Sequence, residues 1–391
     1  MKYLLSDNTW NQKEIAAIQR VIHSDRYTMG EEVKAYEESF AQKLDSKYAV
    51  MVNSGSSANL LAVAALVYSK KLKTEDEVIV PAVSWSTTYF PLMQMGLKIK
   101  FVDIDQNTLN MDVEQLKQAI TPGKTKMILA VNLLGNANKY TEIQALCEVY
   151  DLVLMEDNCE ALGGKYHGQY LGTIGLLGTY STFYSHHLCT MEGGMVVTDD
   201  ELLYHYMLCI RAHGWTRNLP ENSPLYEKKK DPFYESFNFI LPGFNLRPLE
   251  MEGALGTEQL LKMDAIIENR RENAKYFLKK MAAFDNLRCQ KEVGECSWFG
   301  FAIVLENTLK DKRAVINKKL NQKGIDTRPI VAGNFVKNSA VRYLDYSIFG
   351  NLEHADDIHD HGFFIGNHSQ INTDGIDYFC EVFKEILEKV R

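Results

Sequence analysis

The chain has 391 residues, of which 46% are hydrophobic and 24% charged, and its formal net charge is −8. This balance excludes a collagen-like or disordered chain, and the acidic charge argues against a general nucleic-acid binder. No apolar run reaches the roughly 20 residues that a membrane span needs, and the N-terminus lacks the apolar core of a signal peptide. We therefore expect a cytoplasmic protein with no membrane partner. The seven cysteines are scattered without a C-x-x-C pair, so neither a metal site nor a disulfide framework is predicted.

Short β-branched runs alternate with helix-like segments over the first two thirds of the chain. The runs predict strands, and the segments between them have helical spacing. Repeated strand-then-helix units indicate a mostly parallel sheet covered by helices on both faces, which is an α/β fold. In chain order the predicted elements are strand Tyr48–Val52, helix Ala58–Val67, strand Glu77–Val80, strand Lys98–Val102, helix Asp112–Ile120, strand Lys126–Val131, helix Glu142–Tyr150 and strand Leu152–Met155.

The pattern changes after about residue 255. One long helix is predicted over Thr257–Ala283, followed by a strand-like run over Ser297–Leu305, a helix over Lys310–Gln322 and a closing helix from Gly375. These elements predict a smaller α+β domain that a long helix joins to the first. The expected division is a large domain of residues 1–255, which includes the N-terminal segment, and a small C-terminal domain of residues 256–391.

Two of the predicted strands are followed by polar residues that suit ligand binding. The segment Asn53–Asn59, which contains Gly55 and Ser56, opens a helix, and its small residues and free N–H groups favour a phosphate. Asp157 lies at the carboxyl edge of the sheet, where open α/β sheets bind ligands, and a carboxylate there can hold a heterocyclic nitrogen protonated. Each segment taken alone also fits a helix N-cap.

Two further segments carry aromatic and basic groups. Trp85 follows the strand Glu77–Val80 and suits stacking on a planar cofactor, although a core tryptophan is an open alternative. Ser181–Gly194 contains the adjacent His186 and His187 before a Gly-Gly turn. Adjacent side chains diverge and no H-E-x-x-H pattern surrounds them, so a general base is favoured over a metal site.

The motifs SGSSAN, PAVSWSTTY, FVDID, EDNCE, STFYSHH…EGG and GFNLRPLE occur in this order over nearly the whole chain. Together they resemble the DegT/DnrJ/EryC1/StrS family of nucleotide-sugar aminotransferases, which are fold-type I pyridoxal phosphate enzymes. The resemblance implies an aspartate aminotransferase-like fold, in which a mostly parallel seven-stranded sheet lies between helices in the large, cofactor-binding domain. It also implies a homodimer whose active sites are built by both subunits.

One position departs from the pattern of the family. Where the aminotransferases carry the lysine that binds the cofactor covalently, this sequence has His186-His187, and no lysine lies between Lys165 and Lys228. Imidazole cannot anchor the cofactor but can still move a proton. Counting back from Glu-Gly-Gly favours His186, whereas counting forward from Ser-x-Phe favours His187. We take His186 as the predicted base.

The same departure marks the 3-dehydratases that resemble this family. The resemblance thus implies removal of the C3 hydroxyl from a GDP-linked 4-keto-6-deoxy sugar, in the biosynthesis of colitose for lipopolysaccharide O-antigen. It implies non-covalent pyridoxal phosphate (PLP) or pyridoxamine phosphate (PMP), with L-glutamate as amino donor. The alternative is an aminotransferase that transfers an amine from glutamate to a 4-keto sugar. An iron–sulfur dehydrase is disfavoured because the cysteines are not clustered, and a non-catalytic regulator would not need the intact set of site residues.

The resemblance also implies roles for individual residues. The expected catalytic base is His186. The expected cofactor-binding residues are Gly55, Ser56 and Ser181 at the phosphate, Trp85 against the ring, Asp157 at the ring nitrogen, Glu160 at the phenolic oxygen and Asn245 at the phosphate of the neighbouring subunit. The expected substrate-binding residues are His213, Arg217, Arg247 and Arg328.

Overall fold

Strands and helices alternate along the first half of the chain, as the computed structural model of residues 1–390 shows. The strands are β1 (Tyr48–Val52), β2 (Glu77–Pro81), β3 (Lys98–Val102), β4 (Thr125–Val131), β5 (Val153–Asp157), β6 (Lys165–Tyr166), β7 (Gln169–Tyr170), β8 (Leu177–Ser181), β9 (Gly194–Thr198), β10 (Leu287–Cys289), β11 (Gly300–Leu305), β12 (Tyr346–Ile348) and β13 (Gly362–Gly366).

Thirteen α-helices within residues 1–390 cover these strands or connect them. The helices are α1 (Gln12–His23), α2 (Glu31–Lys43), α3 (Gly55–Tyr68), α4 (Ser86–Gln94), α5 (Val113–Ala119), α6 (Tyr140–Tyr150), α7 (Glu201–Arg211), α8 (Pro232–Glu235), α9 (Glu250–Leu260), α10 (Met263–Met281), α11 (Arg313–Gln322), α12 (Glu353–His361) and α13 (Thr373–Val390).

The large sheet has the strand order β1-β9-β8-β5-β4-β2-β3-β12. Only β9 runs antiparallel to its neighbours, so the other seven strands all point the same way. The predicted α/β fold is therefore confirmed, with one more strand than the seven expected. The additional strand, β12, comes from the C-terminal part, and its three exposed residues are too few to give a sequence signal.

The parallel direction of these strands decides where a site can form. The carboxyl ends of β1, β2, β5 and β8 all meet at one edge of the sheet, and α3 and α4 begin just beyond β1 and β2. Loops and helix N-termini at such an edge are the usual ligand-binding region of an open α/β sheet. Four of the motifs singled out in the sequence, SGSSAN, PAVSWSTTY, EDNCE and STFYSHH, lie at the ends of these strands.

The single helix predicted over Thr257–Ala283 is wrong. The structure has two helices, α9 and α10, which are separated at Leu261 and Lys262. The Lys262 ammonium donates to the carbonyl of Thr9 and pairs with the buried carboxylate of Glu14 at 2.5 Å. The break contains neither glycine nor proline, and the helical periodicity of the sequence continues across it, so the sequence does not indicate that the helix is interrupted.

A second, smaller sheet has the order β10-β11-β13 and forms the centre of a separate apolar core. The rings of Phe277 on α10 and Phe301 on β11 stack in this core with centroids 4.2 Å apart. Tyr3 also packs into this second core, and β12 joins the large sheet. Both the large sheet and the second core therefore contain residues from each side of residue 255. The division at residues 255/256 remains a proposal. No helix within residues 1–390 combines the length and the apolar character that crossing a bilayer requires.

Candidate active site

A cavity of about 490 Å³ lies at the carboxyl edge of the large sheet. Its wall is formed by the ends of β5 and β8, the first turn of α3, the loop before α4, and a few residues of the C-terminal part. No lysine lines this cavity among residues 1–390. Eight of the twelve predicted site residues line it: Gly55, Ser56, Trp85, Asp157, Glu160, Ser181, His186 and Arg328.

One end of the cavity is the N-terminus of α3. Ser54 caps this helix, since its hydroxyl accepts the Ser57 N–H at 3.1 Å. A Cβ at Gly55 would lie only 2.6 Å from the Ser181 Cβ and 2.9 Å from the Cys159 Sγ, so this position requires glycine. The first N–H groups of a helix have no partner within the helix, and together with the helix dipole they favour an anion. This end of the cavity suits a phosphate.

Asp157 is the last residue of β5, and its carboxylate is held by a network of donors. Its Oδ2 accepts hydrogen bonds from the Asn59 amide at 2.9 Å and the Thr88 hydroxyl at 2.8 Å. Its Oδ1 accepts only the Cys159 N–H, at 3.1 Å, within residues 1–390. The Thr179 hydroxyl donates to the Asn59 carbonyl oxygen at 2.6 Å and fixes the orientation of that amide. Because a carboxylate oxygen can accept a second bond, Oδ1 is available to a cationic donor in the cavity.

The network around Asp157 was not predicted from the sequence. Asn59 lies within the apolar run of α3 and Thr88 within α4, and each is buried. A polar residue in an apolar helical run is the one signal that could have identified Asn59, because a buried amide needs partners. We expect these residues to orient Asp157 rather than to contact a ligand.

Trp85 precedes the first residue of α4 and borders the cavity. Its side chain is 58% exposed, which decides between the two alternatives for this residue, because a core tryptophan would be buried. The exposed ring is available for stacking on a planar group in the cavity.

His186 presents one nitrogen to the protein and the other to the cavity that it lines. Its Nδ1 lies 2.7 Å from the Cys159 carbonyl oxygen, which can only accept, so Nδ1 carries the proton in the neutral ring. The lone pair is then on Nε2. Burial, assisted by the positive charge of Arg270 and opposed by the Cys159 carbonyl, lowers the pKa of His186 from 6.5 to about 4. The imidazole is neutral at physiological pH and can accept a proton.

His187 points the other way. It is buried, its Nε2 lies 3.1 Å from the Ser297 carbonyl oxygen, and it is not part of the cavity wall in the described residues. Burial lowers the pKa of His187 well below 6.5. The two adjacent rings therefore have different environments, and only His186 is placed to meet a ligand.

Glu160 carries the carboxyl group on the wall next to Asp157. Its Oε2 accepts the Leu134 N–H at 3.0 Å, and the Leu134 carbonyl in turn accepts the Phe299 N–H at 3.0 Å. Burial and, to a smaller extent, the neighbouring charge of Asp157 raise the pKa of Glu160 to about 7. Near neutral pH this side chain is thus divided between its protonated and ionised forms.

Four predicted site residues do not reach the cavity of their own chain, within residues 1–390. They lie in the segment 213–247, which we name the basic arm, and they are His213, Asn245, Arg217 and Arg247. Arg217 stacks over the Trp215 ring at 5.1 Å, and the side-chain Oδ1 of Asn245 accepts from Arg247 Nε at 3.0 Å. His213, Asn245 and Arg217 are exposed.

The model of the DegT/DnrJ/EryC1/StrS aminotransferase family matches residues 8–384, and the chain belongs to this family. Among its relatives, the GDP-4-keto-6-deoxy-D-mannose 3-dehydratase of Yersinia pseudotuberculosis is 56% identical over 389 residues, which cover 98% of this chain and 99% of the relative. The enzyme of the same name from Escherichia coli O55:H7 is 54% identical over 388 residues, which cover 98% of this chain and 100% of the relative.

Solved structures of such a dehydratase superpose closely on this chain. One that contains a trapped PLP–glutamate geminal diamine has a TM-score of 0.95 and 52% identity, and covers 97% of this chain and 100% of its own. A histidine-to-asparagine variant with bound GDP-perosamine has a TM-score of 0.94 with the same identity and coverage. In another variant, lysine replaces a histidine and asparagine replaces the serine directly before it. This structure has a TM-score of 0.93 and 53% identity, and covers 96% of this chain and 100% of its own. The predicted fold type is confirmed.

Proposed function

We propose that the chain is a PLP-family GDP-4-keto-6-deoxy-D-mannose 3-dehydratase, which removes the C3 hydroxyl of that sugar in dideoxysugar biosynthesis. One observation carries the proposal beyond family membership. The cavity wall has an imidazole, His186, and no lysine among residues 1–390, in a chain more than half identical to named dehydratases. An aminotransferase of this family needs a lysine at that place.

The residues of the cavity fit PLP or PMP. Glycine at position 55 lets the start of α3 pack closely against Ser181 and Cys159, so that the free N–H groups of this helix and the Ser181 side chain border the same end of the cavity. The available Oδ1 of Asp157 suits a protonated ring nitrogen, and the exposed ring of Trp85 suits a planar heterocycle. We propose that these groups hold the cofactor without a covalent bond.

When bound, PMP supplies a primary amine for the C4 ketone and a ring that accepts electrons as the C3 hydroxyl leaves. Asp157 keeps the ring nitrogen protonated, which strengthens that electron demand. Nε2 of His186 accepts a proton and can return it, since burial leaves the imidazole neutral. Glu160, whose pKa is raised to about 7, can donate a hydrogen bond in its protonated form toward the phenolic oxygen.

His186 is preferred over His187 for two reasons. The first is the geometry already described, in which only His186 lines the cavity. The second is the dehydratase variant in which the altered histidine directly follows an altered serine. In this chain Ser185 precedes His186, whereas His187 follows another histidine.

We further propose that L-glutamate restores the amine that is lost as ammonia, and that the protein acts as a homodimer. A trapped glutamate adduct in a similar structure supports the first point for that relative. The basic arm supports the second, because its exposed His213, Arg217 and Asn245 have no cavity of their own chain to serve. The positive charge of Arg217 suits the diphosphate of a GDP-sugar in the site of a neighbouring subunit, together with Arg328 of that site.

The proposal is tested by incubating the protein with GDP-4-keto-6-deoxymannose, L-glutamate and PMP, followed by mass analysis of the nucleotide sugar. We expect a product that has lost one oxygen atom, with 2-oxoglutarate and ammonia formed in equal amounts. A matched reaction without glutamate should stop after about one turnover per PMP-loaded site. A product that retains the C3 oxygen and gains an amine would show an aminotransferase instead.

A further inference from the structure

A fully buried arginine lies behind the two histidines, and nothing assigned so far explains it. Arg270 on α10 is 2% exposed. Its Nη1 donates to the carbonyl oxygens of Trp298 at 3.3 Å and Phe299 at 3.1 Å, and within residues 1–390 no carboxylate is in salt-bridge contact with it, although the charge of Asp7 acts on it from further away. Burying a cation without a carboxylate partner is costly, so its retention calls for a physical reason.

The two carbonyls that Arg270 binds belong to a segment that touches the predicted base. The Phe299 ring lies edge-on to the His186 ring, with centroids 5.1 Å apart and an interplanar angle of 74°. The Asn367 amide donates to the carbonyls of both Arg270 and Trp298, at 3.0 and 2.9 Å, which fixes the arginine and the segment together. Arg270 therefore holds the main chain of the Trp298–Phe299 segment, while the Phe299 ring of the same segment packs on the imidazole.

We propose that Arg270 is a positioning residue for His186: it fixes the Trp298–Phe299 segment that packs on the imidazole, and it places a positive charge near the same ring. This inference rests on the proposed function, in which neutral His186 is the base. Arg270 does not line the cavity among residues 1–390 and acts only through other groups.

The charge effect has a defined direction. Burial lowers the pKa of His186 to about 4, and the positive charge of Arg270 contributes to this lowering, whereas the negative charge of Asp157 opposes it. A base must be unprotonated before it can accept a proton, so a nearby fixed cation extends activity to lower pH. The titratable or charged groups that surround His186 are Asp157, Cys159, Glu160, Tyr184, His187, Glu192, Arg270 and Arg328.

The experiment compares Arg270→Gln, which retains hydrogen-bond donors without the charge, with Arg270→Lys, which retains the charge. The His186 pKa is followed by NMR in the full-length protein with ¹³C-labelled histidine, with and without PMP. The His186 signal is identified by its loss in His186→Asn. We expect Arg270→Gln to raise the His186 pKa by about 1, and Arg270→Lys to leave it close to the parent value.

Arg271→Gln is the matched control, because Arg271 is the next residue on the same helix and donates to the Cys296 carbonyl instead. It should leave the His186 titration unchanged. An unchanged pKa in Arg270→Gln, or an equal rise in Arg271→Gln, would overturn the charge effect. An equal rise in Arg270→Lys would overturn it as well, since the charge is retained there.

Phe299→Leu tests the packing part of the proposal, because it changes the contact with the imidazole and leaves the Arg270 charge in place. We expect kcat for dehydration to fall about tenfold with KM within about twofold, because a displaced base weakens proton transfer and not substrate binding. An unchanged kcat would overturn the positioning role. If the parent protein shows no dehydration at all, the proposed function fails, while the NMR comparison still decides the effect of Arg270 on His186.

Discussion

The cavity at the sheet edge and the basic arm contain predicted site residues of the same kind, yet the two regions differ in how the chain places them. In the cavity, residues from β5, β8 and the start of α3 converge because parallel strands end at one edge. In the basic arm, His213 and Arg217 are exposed and reach no cavity of their own chain within residues 1–390. The residues of the first region converge within one chain, whereas we propose that those of the second act only in an assembly.

The contrast extends to the adjacent histidines, since one ring belongs to the cavity and the other to the protein interior. His186 has an Nε2 lone pair at the cavity, whereas the Nε2–H of His187 donates a hydrogen bond to the Ser297 carbonyl oxygen. Sequence position is nearly the same for both, so the local backbone direction alone separates a base from a structural residue. Variants at these two positions give the largest expected difference in the molecule.

His186→Asn should lower kcat for dehydration by about a thousandfold, because removal of a general base commonly costs about 10²–10⁴ in rate. Cofactor binding should be retained, since asparagine occupies less space and the other contacts remain. Steady-state kinetics and equilibrium dialysis with PMP measure the two quantities. His187→Asn is the matched control and should keep at least about a tenth of the parent kcat. Equal losses in both variants would contradict the assignment of the base.

A mixing experiment tests whether the basic arm serves the neighbouring subunit. Asn245→Asp places a negative charge where we expect a phosphate of the other subunit, so this variant alone should be inactive, as should His186→Asn. Random reassociation of the two variants should restore about a quarter of the parent activity, since half of the dimers are mixed and each has one intact site. The mixture of His186→Asn with a variant of its own cavity, Asp157→Asn, is the control and should stay inactive. No recovery in the first mixture would show that the arm acts within its own subunit.

The sequence predicted most of the cavity because each of its motifs follows a strand of one parallel sheet. Glycine at position 55, the carboxylate of Asp157 and the exposed Trp85 were all identified from local pattern and family resemblance. The parts that could not be predicted depend on contacts between distant segments. Arg270 resembles any charged residue on an amphipathic helix, and its burial depends on a segment about 30 residues further along the chain.

Trp85→Leu should weaken PMP binding about tenfold, since stacking on an aromatic ring contributes about 1 kcal/mol beyond the buried area. The melting temperature of the cofactor-free protein should stay within about 1 °C of the parent value, because the ring is 58% exposed and packs little of the core. Fluorescence titration with PMP and calorimetry check the two parts. A large loss of thermal stability would show that the ring has a structural role instead.

Glu160→Gln should have the smallest effect, and it should depend on pH. Burial raises the pKa of Glu160 in the folded protein to about 7, above its unfolded value of 4.5. Between these two values the unfolded chain releases a proton that the folded chain retains, so the parent protein loses stability as pH rises from 4.5 to 7. Glutamine does not titrate, so the melting temperature of the variant should equal that of the parent near pH 4.5 and exceed it by a few degrees, about 2–4 °C, at pH 8. Glu142→Gln, at an exposed position on α6, is the control and should show no such rise in melting temperature. If the difference in melting temperature between Glu160→Gln and the parent did not depend on pH, Glu160 would already be ionised in the folded protein.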